Sequence, residues 1–547
     1  MKRNKEWGIS LVTAGVGIFA VFTFVFFLAR FPAEMLAGVN NAFLGATKLF
    51  SVPLMTFTFI TTILAFYLAL GKYGKIKLGE GKPEYSNFSY ITMMALAALA
   101  SAAVYWSFTE WAVYYGAPGL HLEAFSTDAL EASLGYAFFH WGFATQGPYV
   151  LAGVAVAYAA YNKKVPLMKI SAVCECMMGN YKHKKVIGKL IDISVVFCIV
   201  GAAGCTLGLA VPLETGALRQ VFGIKTTFTV QIGIVLAIAA IFTFTSFLGM
   251  DKGKKVISNL AAGLCISFLL YILFAGPTNF ILKNFVSSLG WMGDKYLRMS
   301  FFTDPIENSG FPEQWTVFFQ AFCLTYTALM GIFVAKISKG RTIKEVALNC
   351  LFGISVSVWV LFAIDGGYSI YAQTEGIVSV TDILAGGSGQ DLVYGIIETL
   401  PGGAKILPFV MLIMIAGFVA SSLDSASFSL AQTITTKLDK NGNVSTRLRI
   451  MCCLVLTLVP LSMMFVGADF SALKSLAILV SIPFMFVMIY MEFMLFKWLK
   501  KDDQLVRETV HETEMVCETI FQPNFKEENN GGKNYQFEQG AGCTRAI

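Results

Sequence analysis

The sequence holds 547 residues, 56% of them hydrophobic and only 14% charged, with a formal net charge of +6. A soluble domain carries roughly 25% charged residues, so a water-soluble globular protein is excluded. The basic residues are dispersed among short connections, which excludes a nucleic-acid-binding patch and leaves the lipid bilayer as the expected surroundings.

Twelve apolar runs of span length follow one another, near 8–29, 50–71, 88–113, 136–161, 190–212, 227–250, 256–276, 315–337, 346–366, 405–433, 449–467 and 472–497. A helix needs about 20 apolar residues to cross the hydrocarbon core. The first run is not followed by a small-residue cleavage site and reads as a retained helix. Lys and Arg gather in alternate connections. Lys2, Arg3 and Lys5 precede the first span, and Lys72, Lys75, Lys77 and Lys82 follow the second. Seven lysines from 163 to 189 follow the fourth, and Lys252, Lys254 and Lys255 follow the sixth. Lys336, Lys339 and Arg341 follow the eighth, and Lys437, Lys440, Arg447 and Arg449 follow the tenth. Residues 116–135 have no Lys or Arg, but carry Glu123, Asp128 and Glu131. Short basic loops stay inside, so a multi-pass plasma-membrane protein with both termini cytoplasmic is expected.

Span 3 contains the small-residue stretch 97–103 and then Trp106, Ser107, Phe108, Thr109 and Glu110. Such a stretch suits a broken helix that exposes carbonyls to an ion or substrate, and equally suits tight helix packing. Glu110 is costly against lipid, so it is expected to face the bundle or a water path. In span 4, Trp141 and Tyr149 are eight positions apart and share a face of a continuous helix, with Gln146 near the same side. Aromatic faces attract cations, although rings at helical spacing also serve packing. His140 reads as a packing residue before a proton relay. Cys174 and Cys176, in a basic connection with His183, read as reduced thiols because a second ligand pair for a metal is missing. Span 8 ends in the basic turn Lys336 to Thr342. Span 10 carries Ser421, Ser422, Asp424, Ser425 and Ser427, a density of hard oxygens that backbone hydrogen bonding by scattered serines accounts for poorly. The tail after about 500 is polar; its beginning suits a short helix and its end suits disorder.

Taken together, the chain resembles the betaine/carnitine/choline transporter family over roughly residues 8–498. The resemblance is strongest in F-F-T-D-P-I-E-N-S-G-F-P-E-Q-W-T-V-F-F (301–319) and F-V-A-K-I-S-K-G-R-T-I-K-E-V (333–346), with support from Trp106 to Glu110, from His140, Trp141 and Gly142, and from Asp424 and Ser425. It implies an all-α, LeuT-like membrane fold of twelve helices: two N-terminal helices plus two inverted five-helix repeats. In this chain the parts would be 1–87 (helices 1 and 2), 88–300 (first repeat and the following external segment), 301–499 (second repeat) and 500–547 (polar tail). It implies secondary active transport of a small zwitterionic quaternary or substituted ammonium compound by alternating access, coupled to Na⁺. The alternatives are Na⁺-independent exchange of carnitine or betaine derivatives and transport of a non-quaternary zwitterion. Several members of the family form trimers, which makes a homotrimer the assembly to test.

By position, the resemblance implies substrate contacts at Trp141, Gln146, Tyr149, Phe322, Cys323 and Tyr326, with Tyr114 as a further wall. Gln146 stands where the family has a second tryptophan, and Gln320, Phe322 and Cys323 replace a tryptophan cluster, so the aromatic cage is partly dismantled. It implies Na⁺ ligands at Ser421 and Ser422, with carbonyls of Phe418, Leu96 and Leu99 completing the shell. The family's Na⁺-independent exchangers have an Arg in the first turns of span 7; the corresponding residues Ser258, Asn259, Leu260 and Ala261 include none, although Met330 matches a methionine of those exchangers. No cofactor beyond Na⁺ is expected. The spans show no nucleophile–base set or metal cluster, which argues against an enzyme, and the acidic tail argues against an osmosensor.

Overall fold

A computed structural model describes residues 30–248, 253–386, 389–439, 443–466 and 470–520, with isolated positions between 10 and 27. Among the described residues the regular elements are helical, apart from one isolated antiparallel bridge between Lys77 and Thr342. The chain divides into two compact units, Met1–Met491 and Glu492–Ile547, the boundary falling inside the last helix, Phe470–Ile520. The expected tail thus begins as helix; residues 521–547 lie outside the described ones.

Among the described residues, eight helices are long and apolar enough to cross a membrane, nine if one bent pair counts as a single span. Twelve were expected. The run 8–29 falls mostly outside the described residues, 136–161 is divided in two, and 449–467 forms the helix Thr446–Val466. The chain therefore reads as a multi-pass, all-helical membrane protein.

Helix α1 (Pro32–Leu70) opens with proline in its first turn, where the missing N–H costs nothing. α2 (Asn87–Gly116) is capped by the Ser86 hydroxyl, which accepts from Ser89 N. It bends by 65° between Asn87–Ala98 and Ala102–Gly116, within the small-residue stretch. α3 (Thr127–Trp141) and α4 (Phe143–Tyr161) are separate helices joined at Gly142. The break corrects the expectation of a continuous span 4. A Cβ on Gly142 would lie 2.5 Å from the Phe138 carbonyl oxygen and 2.9 Å from the Trp359 ring, so only glycine fits.

A short amphipathic helix, α5 (Ile170–Met177), buries Cys174 and leaves Cys176 exposed. Burial pushes the Cys174 thiol above its ordinary range. α6 (Lys184–Phe222), α7 (Phe228–Leu248), α8 (Lys255–Ala275) and α9 (Thr278–Ser300) follow. α10 (Val317–Ile337) is buried on every side, as an all-round apolar helix must be. It approaches α4 closely: a Cβ on Gly331 would lie 2.7 Å from Ala152 Cβ, and one on Gly153 would lie 2.7 Å from Val334. α11 (Ile343–Leu348) and α12 (Ser355–Thr374) are joined by a π turn into one span. α13 (Ile406–Ile434) packs against α2, α6 and α8, and is the last element that shapes the site.

The basic turn after α10 is built into the fold. Arg341 is buried; its Nη1 donates to Asn87 Oδ1 and its Nη2 to the Tyr85 carbonyl, each at 2.7 Å, and its guanidinium lies 4.0 Å from the Tyr90 ring centroid. Thr342 and Glu345 form a reciprocal capping box that starts α11.

Candidate functional site

The bend in α2 and the break at Gly142 bring three elements together around α10. Trp106, Glu110 and Tyr114 recur every four residues along the second half of α2 and so share one face. The Glu110 carboxyl is buried and accepts from two donors, Tyr114 Oη and Trp141 Nε1, each at 2.6 Å. His140 joins them: its Nδ1 lies 2.8 Å from Tyr114 Oη and 3.6 Å from Glu110, and its Nε2 lies 3.1 Å from Thr316 Oγ1. The imidazole is stacked on Phe319, with centroids 5.0 Å apart.

Rings converge around this carboxyl. Trp106 meets Trp315 at 5.9 Å and Phe319 at 6.0 Å; Tyr114 meets Trp315 at 5.5 Å; Trp141 meets Phe319 at 5.4 Å and Phe362 at 5.6 Å. These are mostly edge-to-face packing contacts, the arrangement aromatic rings prefer at such separations.

One to two turns further along α10 lies a second group. The Cys323 side chain lies beside Tyr149 and Thr145 of α4. Gln146 is buried; its Nε2 makes long bonds to the Trp141 carbonyl (3.3 Å) and Thr145 Oγ1 (3.4 Å), and its Oε1 has no partner. Phe322 and Tyr326 meet with tilted rings, centroids 4.9 Å apart, along a different face. Tyr326 Oη lies 2.6 Å from Thr206 Oγ1 and donates to the Ala202 carbonyl of α6 at 3.0 Å. Of the expected substrate residues, Tyr114 and Trp141 join through Glu110, and Gln146, Tyr149 and Cys323 gather between α4 and α10. Tyr326 is instead turned toward α6, and Phe322 packs against it. Trp141 and Tyr149 belong to different helices, so their shared orientation toward α10 comes from the break at Gly142, not from the eight-residue spacing.

The expected ion ligands meet at the bend. Phe418, Ser421 and Ser422 are buried on α13, and Leu96 is buried on α2; the side chain of Leu99 lies outside the described residues. Ser422 Oγ donates to the Ala97 carbonyl at 3.3 Å, which ties α13 to the bend. Ser421 Oγ lies 2.8 Å from Ser258 Oγ of α8. Its carbonyl accepts from Lys254 Nζ at 2.8 Å. Lys254, read from sequence as a loop charge, is buried. One turn on, Asp424 Oδ1 accepts from Arg449 Nη2 at 2.7 Å and from Ser246 Oγ, while its Oδ2 has no partner. Among the described residues, no group of three or more His, Cys, Asp or Glu side chains is placed to hold a metal.

Sequence reasoning missed five members of these groups: Trp106, His140, Trp315, Phe319 and Lys254. For Trp106, Trp315 and Phe319 a signal existed. Trp106 and Glu110 are four apart, and so are Trp315 and Phe319, which puts each pair on one helix face.

Residues 12–504 match the family described as BCCT, betaine/carnitine/choline family transporter. A carnitine transporter of Acinetobacter baumannii is 36% identical over 482 residues, covering 88% of this chain and 87% of that protein. The uncharacterized transporter YeaV of Escherichia coli is 34% identical over 439 residues, covering 80% of this chain and 91% of that one. A solved structure titled as the substrate-bound outward-open state of a Na⁺-coupled sialic acid symporter overlays with a TM-score of 0.46 at 13% identity, covering 80% of this chain and 85% of that one. The chain belongs to the betaine/carnitine/choline family of transporters. It is a membrane transporter and not an enzyme.

Proposed function

We propose that this transporter carries a small zwitterion with a quaternary or substituted ammonium group, of the betaine or carnitine type, by alternating access. The carrying observation is the convergence of Trp106, Tyr114, Trp141, Trp315 and Phe319 around the buried Glu110 carboxyl. A dehydrated ammonium loses its hydration on entering the bilayer. Each ring face returns ~0.5–2 kcal/mol when desolvated, and several together offset the cost of one charge there, roughly 2.5 kcal/mol or more. Glu110 fixes the Trp141 indole and adds negative potential behind the rings. Gln146, Tyr149 and Cys323 would meet the remainder of the substrate, with Phe322 and Tyr326 reached after rearrangement of α6. The similarity to a carnitine transporter supports this class.

In this reading the fold is completed as two N-terminal helices and two inverted five-helix repeats, with both termini cytoplasmic and a homotrimer as one assembly to test. The bend in α2 and α13 form the moving contact. Two coupling schemes fit. Sodium symport would use Ser421 and Ser422 with carbonyls of Phe418, Leu96 and Leu99; the apposition of Ser422 to Ala97 at the bend favours it. Sodium-independent exchange is favoured by Lys254 on the Ser421 carbonyl.

A thermal-shift screen of purified protein over betaines, carnitines, methylamines and amino acids, followed by proteoliposome uptake of the best ligand, tests the substrate class. Stabilisation by an ammonium zwitterion, weakened in Trp141→Ala, is expected. Stabilisation by ligands without an ammonium group, and by none with one, would sink the proposal.

A further inference from the structure

α12 carries a carboxyl in its middle, Asp365, and the side chain is fully buried. Its Oδ2 lies 2.9 Å from Ser107 Oγ of α2, and its Oδ1 has no partner. Among the described residues no basic side chain pairs with it. Cys265 of α8 is the titratable group that senses it from a neighbouring helix. At the next two residues, Gly366 and Gly367, Leu134 of α3 and Ile281 of α9 close in. An ionised carboxylate here would lack a counter-charge, which burial makes expensive.

The hydrogen bonds decide its protonation. Ser107 Oγ lies 2.9 Å from Asp365 Oδ2 and 3.0 Å from the Val104 carbonyl oxygen. A carbonyl and a carboxylate only accept, and a hydroxyl has one hydrogen. With Asp365 ionised, Ser107 can serve one of these neighbours and not the other. With Asp365 protonated, the carboxyl donates to Ser107 Oγ and Ser107 donates to Val104, so both contacts are met. The next hydroxyl along α12 is already committed: Ser369 donates to the Phe108 carbonyl and accepts from Trp111 Nε1, each at 2.9 Å. A metal cation needs several oxygens around it, and a single hydroxyl suits a proton instead.

The place ties this proton to the ring cluster. Ser107 belongs to the half of α2 that begins after the 65° bend, Ala102–Gly116. The same half carries Trp106, Glu110 and Tyr114. It is docked closely on α12: a Cβ on Gly366 would lie 2.8 Å from the Ser107 carbonyl oxygen. A swing of this half about the bend draws Ser107 away from Asp365, and water takes the place of its single partner. Hydration favours the charged form of a carboxyl, so the proton leaves.

We propose that Asp365 is a proton-binding site of the transport cycle: it holds a proton while α2 is docked on α12 and gives it up when that half-helix undocks, so that a proton moves with the substrate. The proton is taken from water on one face of the membrane and released to water on the other, and no other bond changes. The proposal rests on reading the second half of α2 as a moving wall of the substrate site.

The test has two arms, so that failure of the substrate reading is separable. The first needs no substrate. Melting midpoints of wild type and Asp365→Asn are read in detergent from acidic to alkaline buffer, in NaCl and in KCl. The amide is neutral throughout and can still donate to Ser107. Keeping a proton on the carboxyl costs more as pH rises, so wild type should lose midpoint against Asp365→Asn in alkaline buffer, in both salts. Parallel curves would overturn the proposal. So would a sodium-specific rise in the wild-type midpoint that Asp365→Asn lacks, which would give the carboxylate to a sodium ion. In the second arm both proteins are reconstituted with equal NaCl on the two sides and the membrane potential clamped. Accumulation of radiolabelled carnitine or glycine betaine is measured with and without an acidic exterior. One proton per cycle can raise accumulation by up to about tenfold for a gradient of about one pH unit. Wild type should gain several-fold, and Asp365→Asn should ignore the gradient. Reading each protein as its own ratio removes any difference in overall rate. Wild-type accumulation that ignores the gradient overturns the proposal, even with a pH-dependent melting difference, because the proton would then stay bound throughout the cycle. An Asp365→Asn variant that keeps the wild-type response overturns it as well. If Asp365→Asn does not fold, Asp365→Ser, which can also donate to Ser107, replaces it. If no ammonium zwitterion moves in either protein, the substrate reading fails, and the melting arm alone upholds or overturns the bound proton.

Discussion

The two buried polar clusters handle charge in opposite ways. At Glu110 a carboxyl gathers the donors of Trp141 and Tyr114 and leaves ring faces around it. At Ser421 an ammonium from the chain itself gathers oxygens and a ring. Rings attract a cation without binding it through hydrogen bonds, so a cation there can enter and leave. Oxygens already bonded to a tethered lysine can exchange partners only if the tether moves. The difference teaches which cluster is built for traffic and which for holding helices, and substitutions at three positions on the ring side probe it.

The largest effect is expected at Glu110. Glu110→Ala strands Trp141 Nε1 and Tyr114 Oη in a buried setting, at about 1–3 kcal/mol for each unmet donor. A combined loss of about 3 kcal/mol corresponds to a roughly hundredfold fall in uptake efficiency, since 1.4 kcal/mol is about tenfold. Glu110→Gln should be milder but still impaired. Indole nitrogen only donates and needs an oxygen opposite it, whereas tyrosine can accept from the new amide. Uptake kinetics in proteoliposomes measure both; Glu110→Ala within threefold of wild type would erase the contrast between the clusters.

Trp141 comes next. Removing its face in Trp141→Ala takes away one cation–π partner worth ~1–2 kcal/mol, or about tenfold in ligand affinity. Trp141→Phe keeps a face but loses the bond to Glu110, so a few-fold loss is expected. The Glu110/Trp141 double-mutant cycle should be strongly non-additive, because the two side chains are in direct contact. Additive effects on titrated affinity would mean that the bond does not orient the indole.

Much of the scaffold is legible in the sequence because the bilayer imposes it. Apolar length locates the helices, and the small residues at 97–103 mark the bend in α2. The break at Gly142 is harder to read. Aromatic and apolar residues continue on both sides of it, and what forces glycine there is the Phe138 carbonyl together with the Trp359 ring, the latter brought in from α12. The Glu110 network was half visible: a lone carboxyl in a span had to face inward and Tyr114 follows one turn later, but Trp141 and His140 lie on a different helix. Lys254 shows the limit most clearly. Local composition makes it a loop cation like Lys252, and only the packing of α8 on α13, more than 160 residues further along the chain, surrounds it with the oxygens of Ser421 and Ser425.

Gln146 carries the smallest expected effect and the finest discrimination. Its Oε1 is a buried acceptor without a partner, and its Nε2 is held only by long bonds to Trp141 and Thr145. A fully methylated ammonium has no N–H to offer that oxygen. A substrate with a hydroxyl or a free N–H does, and one neutral hydrogen bond is worth roughly 0.5–1.5 kcal/mol net. Gln146→Ala should therefore weaken binding of a hydroxylated substrate such as carnitine about threefold, and leave glycine betaine nearly unchanged. Competition of both ligands against one radiolabelled substrate reads the ratio directly. Because the ring cluster is common to both ligands, its contribution cancels, and what remains is the polar end of the site. An equal loss for the two would mean that Gln146 supports Trp141 through the backbone contact and does not touch the substrate.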